Sequence, residues 1–253
     1  MKAVSILFTL MLVLSTPVQS ASTGALKARQ LNIISHLFDQ LVQNQANSPV
    51  AIERSVSALL ENYPEQIDTV LKVALEKYPK KYKQIICGAL KAEPALTNDI
   101  ITILLRSNIT TSKDIVSIAV NEEPAYATEI VNTAVLYYPN QLEDIVRVAI
   151  LIEPVMGNNI VNQTMQSYPE KLLDILVVAI KALPDQVTSL VRNTLKLAPD
   201  DSQVITTAVR SSTREKTRDI IAAAIQSGMT EKAATTAAIA GGAEQVNIVK
   251  INQ

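Results

Sequence analysis

The chain has 253 residues, 48% of them hydrophobic and 19% charged, with 23 Lys and Arg against 24 Asp and Glu. This composition excludes a disordered tail, a collagen-like fibre and a disulfide-stapled mini-protein, and it leaves ample material for a core. A formal net charge of −1 argues against a dedicated nucleic-acid binder, which carries a basic surplus to displace counterions from phosphates. With no Trp and only two Phe, the core must be aliphatic, built from Ile, Val, Leu and Ala.

In chain order, the first segment reads as an export signal. Lys2 supplies the positive start, Ala3 to Leu14 the apolar run, and Pro17 to Ser20 a small-residue cleavage region. Val18 and Ser20 fit the −3 and −1 positions, so cleavage is expected after Ser20 and residues 1–20 form the signal. The apolar run falls short of the ~20 residues that span a bilayer. Charges or Pro interrupt every later apolar stretch, so no membrane span is expected after cleavage. The expected location is the periplasm or the exterior. Residues 21–48 then form an N-terminal capping helix, in which Leu31, Ile34, Leu37, Phe38, Leu41 and Val42 recur at spacings of three and four.

From Pro49 onward the chain is ruled by proline. Pro49, Pro64, Pro79, Pro94, Pro124, Pro139, Pro154, Pro169, Pro184 and Pro199 share one 15-residue frame, with Ile109 in the only vacant slot between them. Such a period is the signature of an internal repeat. Counting Pro as position 1, positions 7 and 8 are aliphatic, as in Ile145-Val146 and Ile175-Leu176. Position 11 is small at Ala74, Ala89, Ala119, Ala134, Ala149, Ala179 and Ala224. Apolar positions 4, 7, 8, 11, 12 and 15 follow helical spacing, so each unit predicts one helix of about three turns. Pro suits a helix's first position, Glu65, Glu170, Asp185, Asp200 and Glu215 place negative charge there, and the residue before Pro is forced out of the helix.

Turns this short make neighbouring helices antiparallel, so two units form a 30-residue hairpin. A helix of ~12 residues is only ~18 Å long and cannot hide its apolar stripe alone, but stacked units share one continuous core. The expected fold is all-α: an α-solenoid of about 13 short helices over 49–243 behind the capping helix, with 244–253 as a tail. In architecture it resembles the helical-hairpin solenoids, the tetratricopeptide, HEAT and armadillo repeats. The 30-residue pair is shorter than any of these and lacks the tetratricopeptide Trp/Gly/Tyr signature. The resemblance implies partner binding along an extended surface and carries no residue-level transfer.

Catalytic and metal motifs are missing from the sequence. One His and one Cys populate neither a His/Cys zinc site nor a nucleophilic triad, and no phosphate-binding glycine loop is present. No catalytic activity and no cofactor are expected. His36 shares the polar face of the first helix with Arg29, Asn32, Gln40 and Gln43. Positions 2, 6, 9 and 13 are expected to face outward. Cys87 at position 9 is then a candidate intermolecular thiol. Position 6 gives a candidate acidic row for a cationic partner or a weakly bound cation: Asp99, Asp114, Glu129, Asp144, Asp174 and Asp219. Leu136, Leu151 and Val177 in outward slots form the candidate interaction surface. The tyrosines before proline, Tyr63, Tyr78, Tyr138 and Tyr168, read as turn packing. These features together predict an exported, non-catalytic scaffold for a protein or peptide partner. The alternative is a self-associating structural protein of the envelope or extracellular matrix.

Overall fold

The structure is a computed structural model describing residues 19–244, with side chains from Gly24 onward. The expected signal lies outside the described residues except for Gln19 and Ser20, and so does the expected tail beyond Glu244. The described residues hold fourteen helices and no strand. These are α1 (Gln19–Asn44), α2 (Ala51–Asn62), α3 (Ile67–Lys77), α4 (Tyr82–Ala92), α5 (Thr97–Ser107), α6 (Ser112–Glu122) and α7 (Ala127–Tyr137). The second half has α8 (Leu142–Ile152), α9 (Gly157–Ser167), α10 (Leu172–Ala182), α11 (Val187–Leu197), α12 (Ser202–Ser211), α13 (Thr217–Gln226) and α14 (Glu231–Ala240). A long first helix and thirteen short ones match the 15-residue frame.

Proline sets the turns. Pro64, Pro79, Pro94, Pro124, Pro139, Pro154, Pro169 and Pro184 each open a three-residue 3-10 turn that runs straight into an 11-residue helix. The residue before proline is held out of the helical region by the proline ring, as at Tyr78 (φ −129°, ψ 55°) and Glu153 (φ −129°, ψ 77°). The Tyr78 N–H nonetheless donates to the Ala74 carbonyl at 2.9 Å, and its own carbonyl accepts from the Lys81 N–H at 2.8 Å. One non-helical residue therefore reverses the chain while keeping its backbone groups paired.

Helices alternate between two layers. Odd-numbered helices from α1 to α13 stack on one another, even-numbered helices from α2 to α14 do the same, and consecutive helices pack across the interface. One core runs without interruption from Ile34 to Ala238. Positions 7 and 8 fill it, and the position-11 alanines are wholly buried, bringing helix backbones close. Thr164 and Thr194 take the same slot and satisfy their buried hydroxyls by donating to the Ile160 and Leu190 carbonyls at 2.7 and 2.8 Å.

Two expected facings are corrected. Position 15 is a turn position and not a core position: Tyr78, Glu93, Glu123, Tyr138, Glu153 and Tyr168 are half-buried, and only Leu183 is buried. Position 9 faces outward at Lys72 and Arg147, which are exposed, but Cys87, Thr102, Ser117, Asn132, Asn162 and Val177 are half-buried. The reason is lateral: each helix has neighbours of its own layer on both sides, and position 9 points along that direction.

The vacant proline slot has its own local solution. Asn108 ends α5 in the left-handed region (φ 50°), which Asn tolerates better than most residues. Thr111 then caps α6, its side-chain oxygen accepting the Asp114 N–H at 3.1 Å, and Thr110 donates to the Asp114 carboxylate at 2.7 Å.

Candidate interaction surface

A groove of about 510 Å³ separates α3 from α5. Leu75, Ile103 and Ile109 supply its apolar surface, while Asp68, Lys72, Glu76 and Arg106 supply charge. Arg106 is held in place by Tyr137, its guanidinium carbon 5.6 Å from the ring centroid. In the other layer, α4 closes on α2 through Gly88, whose position leaves no room for a side chain beside the Glu53 backbone. Ile109, the residue that replaces a proline, lies at the mouth of this groove.

The exposed apolar residues gather elsewhere. Leu151 (58% exposed), Ile152 and Val155 (88%) follow one another over the α8–α9 turn. Leu136 is also strongly exposed (74%), on α7 and therefore in the opposite layer from α8 and α10. Val177 is half-buried on α10. The expected trio thus does not make one surface, because Leu136 belongs to an odd helix. Ile152 falls at position 14, to which the repeat assigns no facing, whereas Val155 falls at position 2, an outward slot, and only its apolar side chain sets it apart there. The signal available was the apolar run from Val148 to Ile152 continuing past Pro154 into Val155-Met156.

The acidic row likewise divides. Asp99, Glu129 and Asp219 lie on odd helices, whereas Asp114, Asp144 and Asp174 lie on the adjacent even helices α6, α8 and α10. Two of the even set are locally neutralised, and Asp114 is held by Thr110 and Thr111 instead. Asp144 takes Arg147 from its own helix and Lys113 from α6 at 3.4 Å, and Asp174 takes Lys171 at 3.2 Å. Arg147 and then Lys113 hold the Asp144 carboxyl below the usual carboxylate range, and the Thr110 hydroxyl does the same for Asp114. Among the described residues, no three His, Cys, Asp or Glu side chains converge as metal ligands.

Cys87 sits between layers of charge. Lys91, one turn further along α4, bridges Glu53 of α2 at 2.7 Å and Glu122 of α6 at 3.3 Å. Burial first, and then a hydrogen bond to Glu122 with the charges of Glu122 and Glu53, push the Cys87 thiol up to about 12. A thiol held protonated is a poor nucleophile, so this environment disfavours the intermolecular bridge. His36 is exposed and 3.1 Å from the Gln40 amide nitrogen.

A feature of period 30 was overlooked in the period of 15. The pre-proline residues alternate between the two edges of the slab. Tyr78, Tyr138 and Tyr168 end odd helices, and Glu93, Glu123 and Glu153 end even ones. Tyr78 and Tyr138 reach back to the preceding helix of their own layer. Tyr78 meets Phe38 edge-to-face with centroids 5.8 Å apart, and the Tyr138 hydroxyl lies 3.3 Å from the Leu105 carbonyl and 3.2 Å from Asn108 Oδ1. The alternation is not complete, since Tyr63 and Leu183 end the even helices α2 and α10 and Ala198 ends the odd helix α11.

No protein-family model matches this chain, and comparison with curated proteins and with solved structures finds no match.

Proposed function

We propose that the protein is a non-catalytic helical-repeat scaffold that binds a protein or peptide partner, acting after export in the periplasm or outside the cell. The observation that carries this reading is the exposure of three apolar residues, Leu151, Ile152 and Val155, within five positions over the α8–α9 turn. Exposed apolar residues that cluster on an otherwise polar surface favour an interface. The α3–α5 groove, with its apolar floor and charged walls, adds a second concave surface in the same molecule. Export rests on Lys2, the Ala3–Leu14 run and the Val18/Ser20 cleavage pattern.

The test compares the intact protein with a Leu151→Asp/Val155→Asp variant as bait for the envelope and extracellular fractions of its own cells. A partner retained by the first and lost from the second supports the reading. A partner retained equally by both removes the patch from it. The N-terminus of the same protein, recovered from those fractions, is expected to be Ala21. A chain confined to the cytosol with Met1 intact refutes export. The second reading, self-association, is favoured by the outer side of α1.

A further inference from the structure

The helix α1 has two apolar stripes, and its own chain uses one. Ile34 and Phe38 are buried against the solenoid, with Leu31, Leu37, Leu41 and Val42 packed beside them, so Leu37 is half-buried where the inner and outer stripes meet. A second stripe runs along the outer side. Leu26, Gln30, Ile33 and Leu37 recur at spacings of four, three and four, the spacing of a two-helix seam with one polar position. Leu26 is 61% and Ile33 50% exposed, and every residue from Gly24 to Gln30 is exposed. Beside this seam lies a groove of about 170 Å³, with Gln30, Ile33 and Leu37 on one wall and Tyr63, Glu65 and Gln66 of the α2–α3 turn on the other.

Charge is divided along the same surface. The exposed half of α1 carries Lys27 and Arg29 and no acid before Asp39, whereas the turn beyond the groove carries Glu65, with Glu61 at the end of α2 just before it. Among the described residues, Lys27, Arg29, Glu61 and Glu65 form none of the ion pairs. A basic stretch and an acidic stretch on one continuous surface complement each other when a second copy is turned end for end.

We propose that the outer seam of α1 pairs two copies of this chain antiparallel about a two-fold axis. In a pairing centred between Gln30 and Ile33, Leu26 of each copy falls opposite Leu37 of the other, at the groove. Lys27 and Arg29 then approach the other copy's acidic turn. A two-fold contact uses the same patch on both copies, so assembly stops at two. The partner in this inference is the chain itself, so it stands independently of the partner-binding reading.

Light scattering after size exclusion tests it on the purified protein. The expected mass is twice that of the chain, which is 27.5 kDa for all 253 residues and less once residues 1–20 are removed. Ile33→Glu, and separately Leu26→Glu, are expected to raise the dimer dissociation constant at least tenfold. Circular dichroism spectra of the variants should keep the full helical signal, because neither side chain packs in the chain's own core. Lys27→Glu and Glu65→Lys are each expected to weaken the dimer, and combining them to recover it. A monomer at about 100 µM, or a dimer indifferent to Ile33→Glu, overturns the proposal. So do species that keep growing with concentration, or a double charge exchange that fails to recover the dimer.

Discussion

The carbonyl oxygen of Glu53 on α2 occupies the space that a side chain at Gly88 on α4 needs: a Cβ there falls 2.3 Å from that oxygen. The obstacle is backbone, which cannot swing aside. This contact presses the even layer together opposite the place where α3 and α5 leave a groove in the odd layer.

Gly88→Ala is therefore expected to destabilise by about 1–3 kcal/mol from overpacking, after an offset of roughly 1 kcal/mol from better helix propensity. Gly157→Ala meets only the tip of Leu183 at 2.6 Å, a side chain able to turn away. It should cost less. Urea denaturation of the two variants checks the order. Equal costs would show that α2 and α4 separate freely.

Ala149 is wholly buried at position 11, whereas Asp144 lies at the surface with two cationic neighbours. Ala149→Leu is expected to lower stability by about 1–3 kcal/mol, and Asp144→Ala, at an exposed and solvent-screened ion pair, to change it far less. Thermal melts that reverse this order would contradict the facing of α8.

The Cys87 thiol is raised from its ordinary 9.0 to about 12 in the folded chain, first by burial and then by Glu122. The sign follows from linkage: the folded state holds this proton more tightly than the unfolded one. Its stabilising effect is complete below about pH 9 and is lost as pH rises from there towards 12. The melting temperature should start to fall above pH 9, and less steeply in Cys87→Ser, whose hydroxyl does not ionise in this range. At pH 8, iodoacetamide should label Cys87 slowly, and faster in Glu122→Gln. Fast labelling of the unaltered protein would contradict the shielding described here.

Ile109→Pro would complete the proline frame, yet it is expected to destabilise by about 1–3 kcal/mol. Asn108 is left-handed, and a following proline favours an extended residue there. Adding Asn108→Tyr, which copies the Tyr-Pro turns elsewhere, should recover part of the loss. Thermal melts of the single and double variants decide, and a stabilised single variant would refute the local account.

The fold was legible because Pro, the aliphatic pair and the small residue each mark one helix position and recur every 15 residues. The sites were less so. The 15-residue frame gives every unit one set of facings, but odd and even helices belong to different layers. Leu136 and Leu151 share position 13 yet lie in opposite layers, and Asp99 and Asp114 share position 6 with the same outcome. Position 9 failed for another reason: an outward direction on an isolated helix becomes a lateral contact once that helix has neighbours on both sides. The α3–α5 groove depends on how far two helices stand apart, which no side-chain period encodes. Gly88 hinted at its origin, since a glycine inside a helix costs stability unless a neighbour needs the space.

Because one residue suffices to reverse the chain at each proline, no helix waits long for its neighbours. Among the described residues, the long-range hydrogen bonds between side chains and other groups join residues no more than 42 positions apart, the widest linking Lys77 to Ser35. Chains whose contacts are this local fold quickly and without a distant closing step. A nascent or threaded chain can therefore consolidate one hairpin after another in sequence order, each new helix finding its seat on two that are already in place.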